Sequence, residues 1–150
     1  MGNLRHVFAA VPLALVLTGC GGGGHPRDVV FGQTAPEALS RTRGEPVVAR
    51  RSDLRPEATV HQFRDRSSCQ AEGGAVVACA REPRGAERTL QYWRHLLKGS
   101  RTEYRPIAGS RDTQGLAQYQ LIAPERGLTV VYDRALERVV RVMEYAPARR

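Results

Sequence analysis

Leu128-Thr129-Val130-Val131-Tyr132 and Arg138-Val139-Val140-Arg141-Val142-Met143-Glu144-Tyr145 decide the fold class of this chain. β-Branched and aromatic residues dominate both runs. The link between them, Asp133-Arg134-Ala135-Leu136-Glu137, is short enough for an antiparallel hairpin. Upstream, Leu116 to Ala123 reads as another strand, and Pro124-Glu125-Arg126-Gly127 as the turn that joins it to the hairpin. Before that, Arg101 to Gly115 has no clear period, and Thr102 to Ile107 adds a short edge strand.

The first two thirds of the chain mix both element types. Thr34 stands where a helix N-cap would, with Pro36 in the first turn and Glu37 completing a capping box. Ala35, Ala38, Leu39 and Thr42 share a face up to Arg43. Gly44 then ends the helix, Pro46 prevents its resumption, and Val47-Val48-Ala49 begins an extended run. Ala58 to Phe63 alternates with period two and reads as a strand. A second helix is expected from Ala86 to Lys98. Ala86, Leu90, Trp93 and Leu97 recur at helical spacing, Leu96 widens the stripe, and Gly99 is the stop. Glu87 then lies near the positive end of the helix and Lys98 near its negative end. Each half thus runs from a capped helix into β segments and a hairpin, which leaves a duplication open.

Between these elements lies Cys69-Gln70-Ala71-Glu72-Gly73-Gly74-Ala75-Val76-Val77-Ala78-Cys79. The glycines read as a hairpin turn. If Cys69 faces Cys79, Ala71 faces Val77 and Gly73-Gly74-Ala75 forms a three-residue loop. A structural disulfide follows. A metal site needs more ligands than two cysteines, His61 and His95 are not at finger-like spacing, and a redox pair would sit at Cys-x-x-Cys.

The N-terminus has a different character. Arg5 and His6 precede an apolar run from Val7 to Leu17, and Leu17-Thr18-Gly19-Cys20 closes it. A charged start, an apolar core and small residues make a secretory signal. The closing tetrapeptide resembles the lipobox of bacterial lipoproteins. That resemblance implies cleavage after Gly19, lipidation of Cys20 (palmitate among the acyl groups), and a membrane-tethered protein. Residues 1–19 are then the signal peptide and residues 20–28, rich in glycine, a flexible tether. Residues 29–147 form one α+β domain, and 148–150 are a basic tail. The eight residues after Cys20 span about 15 Å as a coil. Gly21 follows the cysteine where an inner-membrane retention signal would place Asp, so in a cell with two membranes the outer one is the expected site. With Cys20 lipidated, Cys69 and Cys79 are an even pair in an oxidising envelope compartment such as the periplasm.

Two fragments also resemble small SmpA/OmlA (BamE-like) envelope lipoproteins. Phe31-Gly32-Gln33-Thr34-Ala35-Pro36-Glu37-Ala38-Leu39 with Gly44-Glu45-Pro46 is similar to their opening helix, and Thr129 to Asp133 with Arg138 to Val142 to their closing hairpin. The resemblance implies a pair of helices against a small antiparallel sheet and a scaffolding role in the outer membrane.

The 150 residues carry a net charge of +8, almost entirely from arginine, with Asp and Glu interleaved. A nucleic-acid surface would show a basic stripe with stacking aromatics, so a nucleic-acid partner is not expected. No nucleophile elbow, phosphate loop or zinc-protease motif is present. Trp93 lies on the apolar stripe, as a core residue would. Glu103 and Asp112 sit among arginines, as surface ion pairs do. The expectation is therefore an α+β protein: two helices packed on an antiparallel sheet of short hairpins, with no catalytic residues, cofactor or metal. Its sites are Cys20 for lipid and Cys69 with Cys79 for the disulfide. Its function is that of a non-enzymatic scaffold or binding module for an envelope protein or polymer. An enzyme acting on cell-wall substrates and an inhibitor or immunity-type protein are the alternatives.

Overall fold

The computed structural model describes residues 29–53, 55–112 and 114–148. The expected signal peptide, Cys20, the tether and the last two arginines of the tail lie outside them. In chain order the elements are α1 (Pro36–Arg43), β1 (Val48–Arg51), β2 (Thr59–Gln62), β3 (Ser68–Glu72), β4 (Ala75–Arg81), α2 (Leu90–Leu96), β5 (Glu103–Arg111), β6 (Ala117–Ala123), β7 (Leu128–Asp133) and β8 (Arg138–Tyr145). Short 3-10 turns at Gly85–Arg88 and Pro124–Arg126 precede α2 and β7.

All eight strands join one antiparallel sheet in the order β1-β2-β3-β4-β8-β7-β6-β5. This corrects the expected architecture. The sheet is not a set of short hairpins under two helices. It is continuous, and the helices have only eight and seven residues. Each half is a helix followed by a four-stranded meander, and the halves meet where the last strand of one pairs with the last strand of the other. The repeated element order is the internal parallel seen in the sequence, and the two halves join antiparallel at the β4–β8 seam.

The register places both helices on one face. Cys69 faces Cys79 across β3–β4, Cys79 faces Glu144 and Arg81 faces Val142 across β4–β8, and Val142 faces Val130 across β7–β8. On that face Leu39 of α1 packs with Phe63, Cys69, Val76 and Cys79. Leu90, Trp93 and Leu97 pack on Leu121, Val130 and Val142 in a second cluster. The opposite face carries Val60, Gln70, Ala78, Met143, Val131 and Gln120 at the alternate positions, and neither helix lies on it.

Local corrections have identifiable causes. Thr34 does not cap α1. Its hydroxyl accepts from the Val30 N–H at 2.7 Å, its carbonyl accepts from Val76 N–H, and Ala35 takes the cap position ahead of Pro36. The second helix begins four residues later than expected, because Thr89 breaks the run and caps it, accepting from the Tyr92 N–H. Ala86 is consequently exposed rather than on the apolar stripe. β5 is longer than the expected edge strand and is interrupted between Pro106 and Arg111. In the cysteine hairpin, Glu72 pairs with Ala75 and Ala71 with Val76, so the loop has two residues rather than three. Gly73 and Gly74 both have positive φ, as a tight primed turn requires, and the register shift leaves Val77 as the extra residue of a bulge.

A disulfide joins Cys69 and Cys79, with Cα atoms 4.1 Å apart and both side chains buried. Serine at both positions should lower stability by about 2–3 kcal/mol in the chain-entropy account of so short a loop, measured by denaturant titration. Thiol labelling of unreduced native protein should find neither cysteine. Gly127 adopts a left-handed conformation, and a Cβ there would run into the Tyr145 carbonyl oxygen and the Pro147 nitrogen. Gly127→Ala should therefore cost about 1–3 kcal/mol or more, read as a fall in denaturation midpoint.

Candidate functional site

Two short helices cannot cover eight strands, and a cleft remains between the two cores. It encloses about 500 Å³ on the helix-bearing face, within the range of ~300–1,000 Å³ usual for ligand sites. Phe31, packed on the first core, lines one part of it. Tyr92, Trp93, Leu96 and Leu97 of the second half line another, and Leu128 extends the apolar wall.

Two of its charged groups, Arg81 and Glu144, come from the central seam, and Glu87 and Arg126 come from the two 3-10 turns. Arg81 and Glu144 lie diagonally across the seam on the same face, Arg81 opposite Val142 and Glu144 opposite Cys79 two rungs away. Arg81 reaches the 3-10 turn and donates two bonds to Glu87, at 2.6 and 2.9 Å. Glu87 also accepts from the Arg84 N–H, and its own carbonyl accepts from the Trp93 indole at 2.6 Å. Arg81 and Glu87 keep only 8% and 9% of their side chains exposed. Glu144 lies 3.6 Å from Arg81 with 23% of its side chain exposed.

The two carboxylates are driven in opposite directions. Burial works to raise both. For Glu87 the hydrogen bonds from Arg81 and the Arg84 backbone outweigh it and hold the carboxyl below its ordinary value. For Glu144 burial prevails over the attraction of Arg81, the neighbouring Glu87 charge adds repulsion, and the carboxyl is pushed up. The buried Arg81 Nε has no hydrogen-bond partner among the described residues.

A second ionic cluster lies elsewhere. Arg138 donates to Asp133 and Asp112, and Asp112 also accepts from the N–H groups of Gln114 and Leu116. This fastens the β5–β6 connection to the β7–β8 turn. Glu103 pairs with Arg105 at 2.8 Å. His61 lies on β2 opposite Cys69, and His95 is an exposed residue of α2. Neither histidine lines the cleft. Among the described residues, no group of three or more His, Cys, Asp or Glu is placed to hold a metal.

The sequence reading missed the Arg81–Glu87–Glu144 cluster. Glu87 read as a helix-dipole residue, but it precedes the helix and faces inward. The usable signal was alternation. Glu144 follows the inward-facing Val142 by two residues, and Arg81 follows Cys79 by two. Charged residues at core-side positions mark a built ionic site.

No protein family, curated protein or solved structure matches this chain.

Removing Arg81 leaves the buried Glu87 and the largely buried Glu144 without the cation that pairs with both. Arg81→Ala should cost about 3–5 kcal/mol by urea denaturation. Glu144→Gln behaves differently. Because folding raises the Glu144 carboxyl, its charge opposes folding at neutral pH, and acidification relieves that cost. Glu144→Gln should be as stable as the parent or more so at pH 7. The difference should close as pH falls through the raised Glu144 range and the ordinary glutamate range below it, measured as denaturation midpoints across pH.

Proposed function

We propose that the chain is a lipid-anchored protein of the bacterial cell envelope and works there as a non-enzymatic binding module. The observation that carries this reading is the buried Cys69–Cys79 disulfide. Such bonds persist in exported proteins and are rare where cytosolic reductants reach them. An apolar N-terminal run ending in Leu17-Thr18-Gly19-Cys20 supplies the route of export, and Cys20 is the residue that would carry the lipid. In a cell with two membranes, Gly21 after the cysteine favours the outer one.

The cleft supports binding over catalysis. Its charged groups are an arginine committed to one glutamate, a second glutamate held above its ordinary range, and the exposed Arg126. No serine, cysteine or histidine accompanies them among the lining residues, so an activated nucleophile with its base is not assembled there. Aromatic and aliphatic walls around a few polar groups are what a recognition site needs.

The anchor is testable in cells. Cys20→Ala should block maturation, since the thiol to be lipidated is gone. Mass spectrometry should find the uncleaved precursor without acyl chains, where the parent shows cleavage after Gly19 and added lipid. Normal processing of the variant would remove the anchor from this reading.

A further inference from the structure

The structure assigns the cleft a ligand class: we infer that it binds a lysine or arginine side chain of a partner protein, with the cationic head on Glu144 and the aliphatic stem along Tyr92 and Leu96. The inference rests on the binding-module reading above and names what that module recognises.

Arg81 cannot serve an incoming anion. Both of its terminal nitrogens are engaged by Glu87, and its Nε is sealed from solvent. Glu144 is the group left over. Its ion pair with Arg81 is long, at 3.6 Å, and it accepts no shorter side-chain bond among the described residues. Arg81, Glu87 and Glu144 together carry one negative charge in excess, which the half-buried Arg43 offsets in part through space. Burial raises the cost of that charge, so a donor that approaches it with a positive charge gains more than it would at a water-exposed carboxylate. Arg126 also lines the cleft, but it is exposed, and water screens its charge.

The walls fit the rest of such a side chain. Leu96 is 45% exposed, a large apolar surface beside the charged floor. Tyr92 stands edge-on to Trp93 with ring centroids 5.3 Å apart, so aromatic surface is available to a guanidinium or ammonium group. Long basic side chains lay their methylenes on surfaces of this kind while the head seeks a carboxylate. A bare metal cation would find one carboxylate not already committed to Arg81, with two arginines among the lining residues, which is no coordination shell.

Trp93 is the only tryptophan in the chain and lines the cleft, so its emission reports occupancy. The full-length chain would be titrated with acetyl-Leu-Lys-amide, with the same peptide carrying Nε-acetyllysine, and with free phenethylammonium. The inference expects a saturable emission change with the lysine peptide and at least tenfold weaker binding of the acetylated one. Glu144→Gln, whose fold is checked by circular dichroism, should weaken the lysine peptide at least tenfold, and Leu96→Ala should weaken it by a smaller factor. Equal binding of both peptides, no response to either, or unchanged affinity in Glu144→Gln would overturn it. Phenethylammonium binding as tightly as the peptide would also overturn the assignment to a protein partner, by giving the site to small amines. The titration needs no membrane, so a failed lipid anchor would leave this result standing.

Discussion

The pairing of β4 with β8 holds the rest of the molecule in place. Each meander is built from neighbours in sequence, and each could be drawn without the other. Only the β4–β8 seam makes one sheet of them, and it does so through four residue pairs. Those rungs leave Arg81 and Glu144 diagonal to one another on the face that bears the helices, where neither can stay hydrated. Glu87, delivered by the 3-10 turn ahead of α2, completes the pairing of Arg81. The seam is thus both a backbone ladder and an ionic contact, and the ionic part ties α2 to the first half of the sheet.

The cleft is a geometric consequence of the same design. Two halves that each carry one short helix put those helices over their own strands. The helices reach the junction strands only at their outer sides, near Cys79 and Val142, and the space between them is left open. Where a longer second helix might have closed the gap, Thr89 ends the 3-10 turn and starts α2 afresh, and Leu96 remains partly in solvent. Natural interiors rarely leave space of this size beside a charge-bearing floor, and the combination separates this cleft from an ordinary packing defect.

Strands and turns were the legible part of the chain. Period-two runs around Val60, Val130 and Val142 and the paired glycines of the cysteine hairpin lie where their chemistry requires. The long-range partner of β8 was not legible. Nothing in the alternation of Val142 and Glu144 says which strand comes alongside, because pairing is chosen by the whole set of faces rather than by one run. The helices misled for another reason. Apolar residues at Ala86, Leu90, Trp93 and Leu97 fit one stripe, yet a buried Glu87 satisfied by Arg81 outweighed helical continuity. Thr34 likewise had the sequence of a cap, but its backbone was needed by Val76 of β4. In each case a tertiary contact unavailable to local reading decided the outcome. The cleft was least legible of all, since its charged members come from four separate segments.

The placement of the disulfide has a further consequence for the order in which the molecule can assemble. Cys69 and Cys79 lie in adjacent strands of the first half, and their hairpin closes over ten residues. β8, by contrast, reaches β4 across more than half a hundred residues of intervening chain. Local contacts form sooner than distant ones because less loop entropy opposes them. Oxidation therefore does not have to wait for the second meander. On the proposed route of export, a chain leaving a translocation channel N-terminus first would expose the thiols, the turn glycines and the core partner Leu39 while β5 to β8 were still inside. The bond would then fix β4 as a ready edge, and the later half would fold against a template that was already covalently set.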